Sequence, residues 1–555
     1  MANYSEAHIC QCLSRLATAR RNSTVTINGD RRKTGMQFVD GVLSLAHGLL
    51  QLGIKPGDVV SVSALNSDLY LEWMLAITYV GGIVAPLNYR WSLEEAKSAM
   101  EVARPVLLVT DSNPGYWHSK FQIDSIPYLR WHVIMDSVKA NSNETIFATE
   151  LHKKPTGKSV TLDYLWAPER AAIICFTSGT TGRPKGATLS HSALVMQSLA
   201  KIAIVRYDED DVYLHTAPLC HIGGISSAMT MLMAGGCHVI IPKFDATLAS
   251  DAIMKHRVTS LITVPTMMAD LISVNRKKQA SEKFESVKRI LNGGGGLSVE
   301  LISDATKIFP KATLLSAYGM TEACSSITFT TLYDPTKENH FNQPSNVKKS
   351  TTLSDQGGIC VGKAAPHVEL RVITEESFST GRILMRGPHA MLHYWGQSPL
   401  VHEGWLDTGD IGQMDEEGNL WLVGRAKDRI KSGGENVYPE EVESVISQHP
   451  GISKIVVVGV PDSRLTEMVI GCVQLNESWR WGDFGINHSP EDKFQFLSSE
   501  ILRQFCKENN LTGFKIPKKF VLWKNTFPLT TTGKLRRDQV RAEVMSHTQV
   551  LSSKL

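Results

Sequence analysis

The sequence predicts an α/β protein. It comprises a large N-terminal domain of parallel-rich sheets flanked by helices, a small β-rich subdomain, and a small α+β domain at the C-terminal end. Three observations carry this. Short, almost wholly apolar runs alternate with helical patterns from about Phe38 to Leu315, and strands apolar along their length belong to parallel sheets covered on both faces. After Gly357 the texture changes to short strands with Gly and Pro turns, which reads as a β-rich subdomain. From about Asp428 the pattern is mixed α+β, so the domains are placed at 1–426 and 427–555.

Each element follows from its residues. Val59-Val60-Ser61-Val62 and Val106-Leu107-Leu108-Val109 read as strands, with a helix from Leu69 to Tyr79 between them. That apolar stretch continues to Leu87. Glu72 interrupts it, and Gly81-Gly82 and Pro86 break it, so it reads as a buried helix running into a strand rather than a membrane span. Ala171 to Phe176 is a strand, Ser192 to Ile202 a helix, and Val239 to Ile241, Leu261 to Val264 and Ala312 to Leu315 are further strands. Beyond the boundary, Pro439 to Ser447 and Leu497 to Lys507 read as helices and Lys454 to Val460 as a strand. Asp334 to Gln356 and Asn476 to Lys493 are poor in apolar residues and read as surface loops.

Composition narrows the partners. The 58 Lys plus Arg against 55 Asp plus Glu leave a net charge of +3, which argues against nucleic acid, since phosphate backbones want a basic excess. No apolar h-region follows the start, which argues against secretion. The nine cysteines form no C-x-x-C pair, so a reducing compartment fits better than a disulfide framework. The spacing of Cys220-His221 and Cys237-His238 matches no common zinc site, and they read as small buried thiols with incidental histidines. The final Ser553-Lys554-Leu555 is a peroxisomal address read by an import receptor. Arg15, Arg20 and Arg21 with few acids also permit a transit peptide.

The strongest chemical motif is Thr177-Ser178-Gly179-Thr180-Thr181-Gly182-Arg183-Pro184-Lys185-Gly186. A buried strand enters it, and Ser190 can cap the helix beyond. Hydroxyls and glycines let backbone N–H groups wrap a phosphate chain, and Lys185 adds a point charge. It is not a Walker A loop, because Lys185 lies between Pro184 and Gly186.

This motif resembles the phosphate loop of the adenylate-forming superfamily, which includes acyl-CoA synthetases, peptide-synthetase adenylation domains and luciferases. Further segments are similar in the same order. They are Tyr318-Gly319-Met320-Thr321-Glu322, Trp405-Leu406-Asp407-Thr408-Gly409-Asp410, Gly424 to Lys431 around a hinge, and Pro528 to Lys534 with a terminal lysine. Ala85-Pro86-Leu87-Asn88 extends the likeness toward the start.

The resemblance implies the adenylate-forming fold and an acid–thiol ligase using ATP, CoA and Mg²⁺. It places Thr177, Ser178, Gly179, Thr180, Thr181, Gly182 and Lys185 on phosphates, and Gly293, Gly294, Gly295, Tyr318, Gly319 and Met320 around adenine. Thr321 meets the α-phosphate, Glu322 holds Mg²⁺, Asp410 and Arg425 take the ribose or phosphate, and Lys534 catalyses adenylation. The chemistry of each side chain suits its place. Tyr318 offers a flat face, Glu322 a hard oxygen, Asp410 an acceptor for two hydroxyls, and Lys534 a charge that offsets two approaching anions. Taken alone, Asp410 also reads as a turn-stabilising residue and Lys534 as a solvated surface lysine.

Lys427 falls at the hinge, so the resemblance implies a swinging C-terminal domain. That swing brings Ser432-Gly433-Gly434-Glu435 to the adenylate, with Gly433 and Gly434 leaving room for pantetheine. The acyl pocket is implied to lie among His221 to Gly224, Asn292 to Leu297 and Ala323 to Ser326. His221 reads either as a gate or donor to a second carboxylate or as a satisfied core histidine. The runs Leu219 to Gly224 and Thr321 to Ser326 are most similar to ligases of aromatic acids. This implies 2-succinylbenzoate, within phylloquinone synthesis, with another aryl or fatty acid as the alternative. That route would add a chloroplast to the peroxisome. The expected partners are the acid, ATP, CoA and the import receptor, with no nucleic acid and no membrane span, for a monomer or weak homodimer.

Overall fold

The computed structural model describes residues 7–136, 145–147, 151, 163–177, 184–277, 283–337, 358–374, 380–398, 403–432, 435–462, 464–482, 495–509, 511, 513–530 and 534–552. Ser178 to Arg183, Gly433, Gly434, Ser553 to Leu555 and most of the two apolar-poor segments lie outside them.

Three large sheets organise the described residues, beside a two-stranded pair of Trp479–Trp481 with Gln495–Leu497. The first has seven strands, in the order Thr145–Phe147, Trp131–Ile134, Leu107–Thr110, Val59–Ser63, Ile83–Pro86, Ala171–Thr177 and Lys185–Ser190. Every neighbouring pair is parallel except the last, which is an antiparallel hairpin. Its central strand Val59–Ser63 is buried throughout, as a strand covered on both faces must be.

The second sheet has thirteen strands. Its parallel half runs Thr313–Met320, Arg289–Asn292, Ser260–Thr263, Val212–His215, Cys237–Ile240, Thr24–Asn28, and Arg31–Thr34 closes that edge antiparallel to Thr24–Asn28. The antiparallel strand Ser325–Tyr333 joins it to the strands after Gly357: Ile359–Ala364, Leu420–Arg425, Leu406–Met414, Gly381–Arg386 and Glu369–Thr374. The β-rich stretch is thus hydrogen-bonded edge-on to the parallel half.

The third sheet comprises Glu435–Val437, Ile430–Ser432, Thr466–Leu475 and Ile452–Asp462, with Lys519–Leu522 added alongside Thr466–Leu475. Helices Pro439–Ile446, Ser499–Glu508 and Arg537–Ser552 flank it, and it has apolar clusters of its own around Val442, Val457 and Leu502 and around Val458 and Val540. One large cluster instead spans the first two sheets, from Val60 and Trp73 to Ile225 and Ile327.

Helix starts obey their caps. Ser67 Oγ accepts from Tyr70 N–H at 3.1 Å ahead of helix Asp68–Tyr79, and Ser190 Oγ accepts from Ala193 N–H at 3.1 Å ahead of helix His191–Lys201. Helix Asp68–Tyr79 runs through Gly81-Gly82 into strand Ile83–Pro86, as its breakers dictate. No helix among the described residues is long and apolar enough to cross a membrane.

Several histidines are buried in apolar surroundings. His8 stacks on His191 with ring centroids 3.7 Å apart and on Tyr164 at 4.1 Å. Burial pushes His8 down to about 4, His191 to about 2, and His238 and His389 to about 3. An unfolded histidine titrates near 6.5. Between that pH and the folded values the unfolded chain binds more protons, so stability falls as pH drops from about 6.5 toward 4. The urea midpoint should therefore decline steadily from pH 7 to pH 5, and His8→Phe should flatten that decline. A midpoint unchanged across this range would contradict the reading.

Candidate active site

A cleft of about 1190 Å³ opens at the carboxyl ends of the parallel strands, the place where open α/β sheets bind ligands. Strand Val212–His215 delivers Ala217 and Pro218, Ser260–Thr263 delivers Thr263 and Val264, and Arg289–Asn292 delivers Asn292, Gly293 and Gly294. Thr313–Met320 delivers Gly319 and Met320, and from just beyond it come Thr321 and Glu322. The other sheet contributes Phe176, Thr177 and Lys185. Arg425, Lys427, Asp428 and Lys534 complete the wall.

The described ends of the phosphate-loop motif are held by a hairpin, in which Thr177 pairs with Lys185. A Cβ at Gly186 would sit 2.5 Å from Ile174 Cγ2, and its carbonyl accepts from Trp395 N–H at 2.7 Å. The Lys185 ammonium lies 5.3 Å from the centre of the Tyr394 ring.

Thr321 and Glu322 stand on a tight turn, Thr321–Ala323. Behind it the backbone is strained: Cys324 has φ 50° and Ser325 φ 110°. A Cβ at Gly319 would lie 1.6 Å from the Ser325 carbonyl oxygen, so glycine is required there by close approach. The Tyr394 hydroxyl donates to Glu322 Oε1 at 2.6 Å, and Met391 N–H donates to the Glu322 carbonyl at 2.8 Å. Burial and the adjacent carboxylate raise the Tyr394 phenol, so it stays a donor.

Asp410 is buried, with Oδ2 accepting from the Tyr318 hydroxyl at 2.6 Å and Oδ1 paired to Arg425 Nε at 2.8 Å. Burial raises its carboxyl while Arg425 and the Tyr318 hydroxyl oppose that rise. Each carboxylate oxygen keeps a second lone pair, so the triad can still accept from a ligand. Tyr318 and Asp410 sit behind the lining rather than in it, and Gly295 also falls outside it. A Cβ at Gly293 would meet nothing within 4 Å, whereas Gly294 has φ +72° and needs its glycine for the backbone.

The loop before Lys534 is closed by its backbone. Thr530 N–H donates to the Lys534 carbonyl at 2.7 Å, and Lys534 N–H donates to Thr530 Oγ1 at 3.1 Å. Although much of the residue is exposed, its ammonium reaches the cleft. Desolvation there and the charge of Arg425 hold it below the ordinary lysine range, while Glu322 and Asp410 pull it back up. His221 lines the same cleft at the start of helix Ile222–Ala234, and its Nε2 is buried without a hydrogen-bond partner among the described residues. Burial, with Arg90 and Lys534 adding to it, pushes it down to about 4, so it is neutral at physiological pH. A Cβ at Gly224 would lie 2.1 Å from the Pro218 carbonyl oxygen, which shows how tightly this wall is folded.

Two site residues escaped the sequence reading. Tyr394 is 72 positions from the Glu322 it holds. Lys201 ends helix His191–Lys201, where a lysine reads as a solvated cation, yet it is buried against Ser226 and Ser325 and lines the cleft. The one available signal was Gln197, a second polar residue one turn earlier on the same helix and also buried.

The structure thus brings a carboxylate held by a tyrosine, the lysines Lys185 and Lys534, and an Asp410–Tyr318–Arg425 triad together around one cleft. The pattern of the AMP-binding enzyme family matches residues 13–395, and that of the AMP-binding enzyme C-terminal domain matches 441–534. The chain belongs to this family of adenylate-forming enzymes. It is 56% identical to 2-succinylbenzoate–CoA ligase, chloroplastic/peroxisomal, of Arabidopsis thaliana, over 100% of both chains. It is 28% identical to 2-succinylbenzoate–CoA ligase of Bacillus cereus strain Q1, over 92% of this chain and 94% of that one. Among solved structures, o-succinylbenzoate CoA synthetase (MenE) of Bacillus subtilis in complex with the acyl-adenylate intermediate OSB-AMP superposes with a TM-score of 0.75. The identity is 25%, covering 97% of this chain and 98% of that one.

Proposed function

We propose that the protein is an ATP-dependent acid–CoA ligase that adenylates 2-succinylbenzoate and transfers the acyl group to CoA. The observation that carries this is the single cleft in which Lys185, Thr321, Glu322, Arg425 and Lys534 converge, in a chain 56% identical over its full length to a ligase of that name.

In the first half-reaction a carboxylate oxygen of the acid bonds to the α-phosphorus of ATP, and the bond to the bridging oxygen breaks, releasing pyrophosphate. Two anions meet and charge develops on the leaving oxygen. Lys534 and Lys185 supply the compensating charge. Thr321 donates to the α-phosphate, and the Asp410–Tyr318–Arg425 triad fixes the nucleoside end. Glu322 fits Mg²⁺, since a cleft carboxylate beside the proposed phosphate site suits an ion that keeps its waters and leans on phosphates. Bound there, Mg²⁺ would neutralise phosphate charge. Tyr394 orients that carboxylate. In the second half-reaction the CoA sulfur bonds to the acyl carbon, AMP leaves with the C–O bonding pair, and the thiol proton passes to solvent.

The acyl-adenylate is water-labile, which favours a separate closed site for each half-reaction. The proposed division at Lys427, a cleft residue at the junction, lets residues 427–555 turn between them. The relative's name supports a peroxisomal and chloroplast location for this chain; the further parts of the reading, Ser553-Lys554-Leu555 engaging the import receptor and a monomer or weak homodimer, rest on the sequence alone. Pyrophosphate release should be fastest with 2-succinylbenzoate in a panel that includes cinnamates, benzoates and long-chain acids. A faster cinnamate or fatty acid would replace the substrate assignment, and no release with any acid would end the ligase reading.

A further inference from the structure

We infer that Lys201 recognises the second carboxylate of the acid and so selects an aryl dicarboxylate over monoacids; this rests on the ligase reading above. Lys201 is only 1% exposed, yet it lines the cleft that holds Thr321 and Glu322. Its ammonium donates to Ser226 Oγ at 2.7 Å and Ser325 Oγ at 3.1 Å. Both partners are neutral, and a lysine carries three donors. Among the described residues it forms no ion pair with a carboxylate.

A lone buried cation is costly unless an anion compensates it. A protein that keeps one inside a ligand cleft leaves the compensation to the ligand. The other cleft cations, Arg90, Lys243, Lys427 and Arg537 among them, are exposed or half-buried, where water or a partner carboxylate compensates their charge. Arg425 pairs with Asp410, and Lys185 and Lys534 face the phosphate side beside Tyr394 and Glu322. His221, being neutral, cannot supply the charge. Lys201 remains, on the wall formed by helix Ile222–Ala234 and the turn after Glu322.

Two features hold it in place. Ser325 adopts φ 110°, a strained conformation, with its carbonyl against Gly319. Gln197, one turn before Lys201, donates from Nε2 to the Ser326 carbonyl at 3.0 Å and accepts at Oε1 from His367 Nε2 at 3.1 Å. The helix thus clamps the bulge that carries the second hydroxyl. Burial also pushes Lys201 down to about 8, the state of an ammonium short of negative charge, and a bound carboxylate would raise it again.

The test compares wild type, Lys201→Met and Lys201→Gln by pyrophosphate release. The acids are 2-succinylbenzoate and the two analogues that each lack one carboxylate, 4-oxo-4-phenylbutanoate and 2-butanoylbenzoate. Wild type should favour the diacid over the better monoacid by on the order of 10²-fold in kcat/KM. Both variants should lose diacid activity by a similar factor while retaining monoacid turnover within about threefold, which also shows that they fold. The Gln variant keeps a donor toward Ser226 and should show the same split, tying the effect to charge. If the variants slow diacid and monoacid alike, or if wild type does not discriminate, the assignment to Lys201 is overturned. Wild type releasing no pyrophosphate with any of the three would instead overturn the ligase reading beneath it.

Discussion

Lys534→Ala should lower the rate of pyrophosphate release by about 10²–10³-fold, with little change in the KM for ATP. The cleft ammonium lies within electrostatic reach of Arg425, Glu322 and Asp410, at the place proposed for the meeting of carboxylate and α-phosphate. Its charge matters most when the leaving oxygen becomes negative, so its loss falls on kcat rather than on nucleotide binding. The loop itself should survive, because its closure runs through backbone groups of Thr530 and Lys534 that alanine also has, together with Thr530 Oγ1. Supplied with preformed acyl-adenylate and CoA, the variant should still make thioester, since Lys534 is assigned to the first half-reaction alone. The pH profile should change as well. Arg425 and desolvation hold the lysine below its ordinary range, so wild-type adenylation should fall on the alkaline side as the ammonium is lost. That limb should vanish in Lys534→Ala. A variant with full adenylation would remove this residue from the chemistry.

Gly319→Ala should be the most damaging single methyl in the site. Its Cβ would lie 1.6 Å from the Ser325 carbonyl oxygen and 2.8 Å from Ser326 Cα, both backbone atoms of the paired strand. Neither can yield without shifting the bulge that presents Ser325 to Lys201 and anchors the turn of Thr321 and Glu322. Overpacking of this kind costs about 1–3 kcal/mol or more. Displacing the reacting groups by about 1 Å costs on the order of 10²-fold in rate. The expected result is a lowered melting temperature with adenylation reduced at least that far. Gly293→Ala is the matched control. Its Cβ meets no protein atom within 4 Å, so stability should be unchanged while the KM of a ligand packed there rises. Equal behaviour of the two variants would contradict the packing argument.

Much of the architecture was legible because parallel strands write themselves as continuous apolar runs. Val59–Ser63, Ala171–Thr177 and Ser260–Thr263 are buried almost end to end and bounded by turns, so neither their type nor their place was in doubt. Sheet order was not legible. Nothing local in Thr24–Asn28 says that it pairs with Cys237–Ile240 far along the chain, because that register arises from packing after collapse. The site divides in the same way. Glu322, Asp410 and Lys534 each lie in a short local run that singled them out, and the structure places Glu322 and Lys534 in the cleft with Asp410 just behind it. Lys201 and Tyr394 do not. Their roles exist only because Ser325, 124 positions from Lys201, and Glu322, 72 positions from Tyr394, fold against them. His221 shows the converse. The run around it drew attention, but whether it carries charge depended on burial that no motif records, and it is neutral.

The central claim, that the acid is activated by attack of its own carboxylate on the α-phosphorus, is tested most directly by oxygen transfer. The enzyme is given 2-succinylbenzoate labelled with ¹⁸O in both carboxyl groups, with Mg·ATP and CoA in ordinary water, and the nucleotide product is examined by mass spectrometry. The account predicts AMP carrying one ¹⁸O atom, appearing with unlabelled pyrophosphate and with thioester in equal amounts. Unlabelled AMP, or ADP with ¹⁸O in orthophosphate, would contradict it.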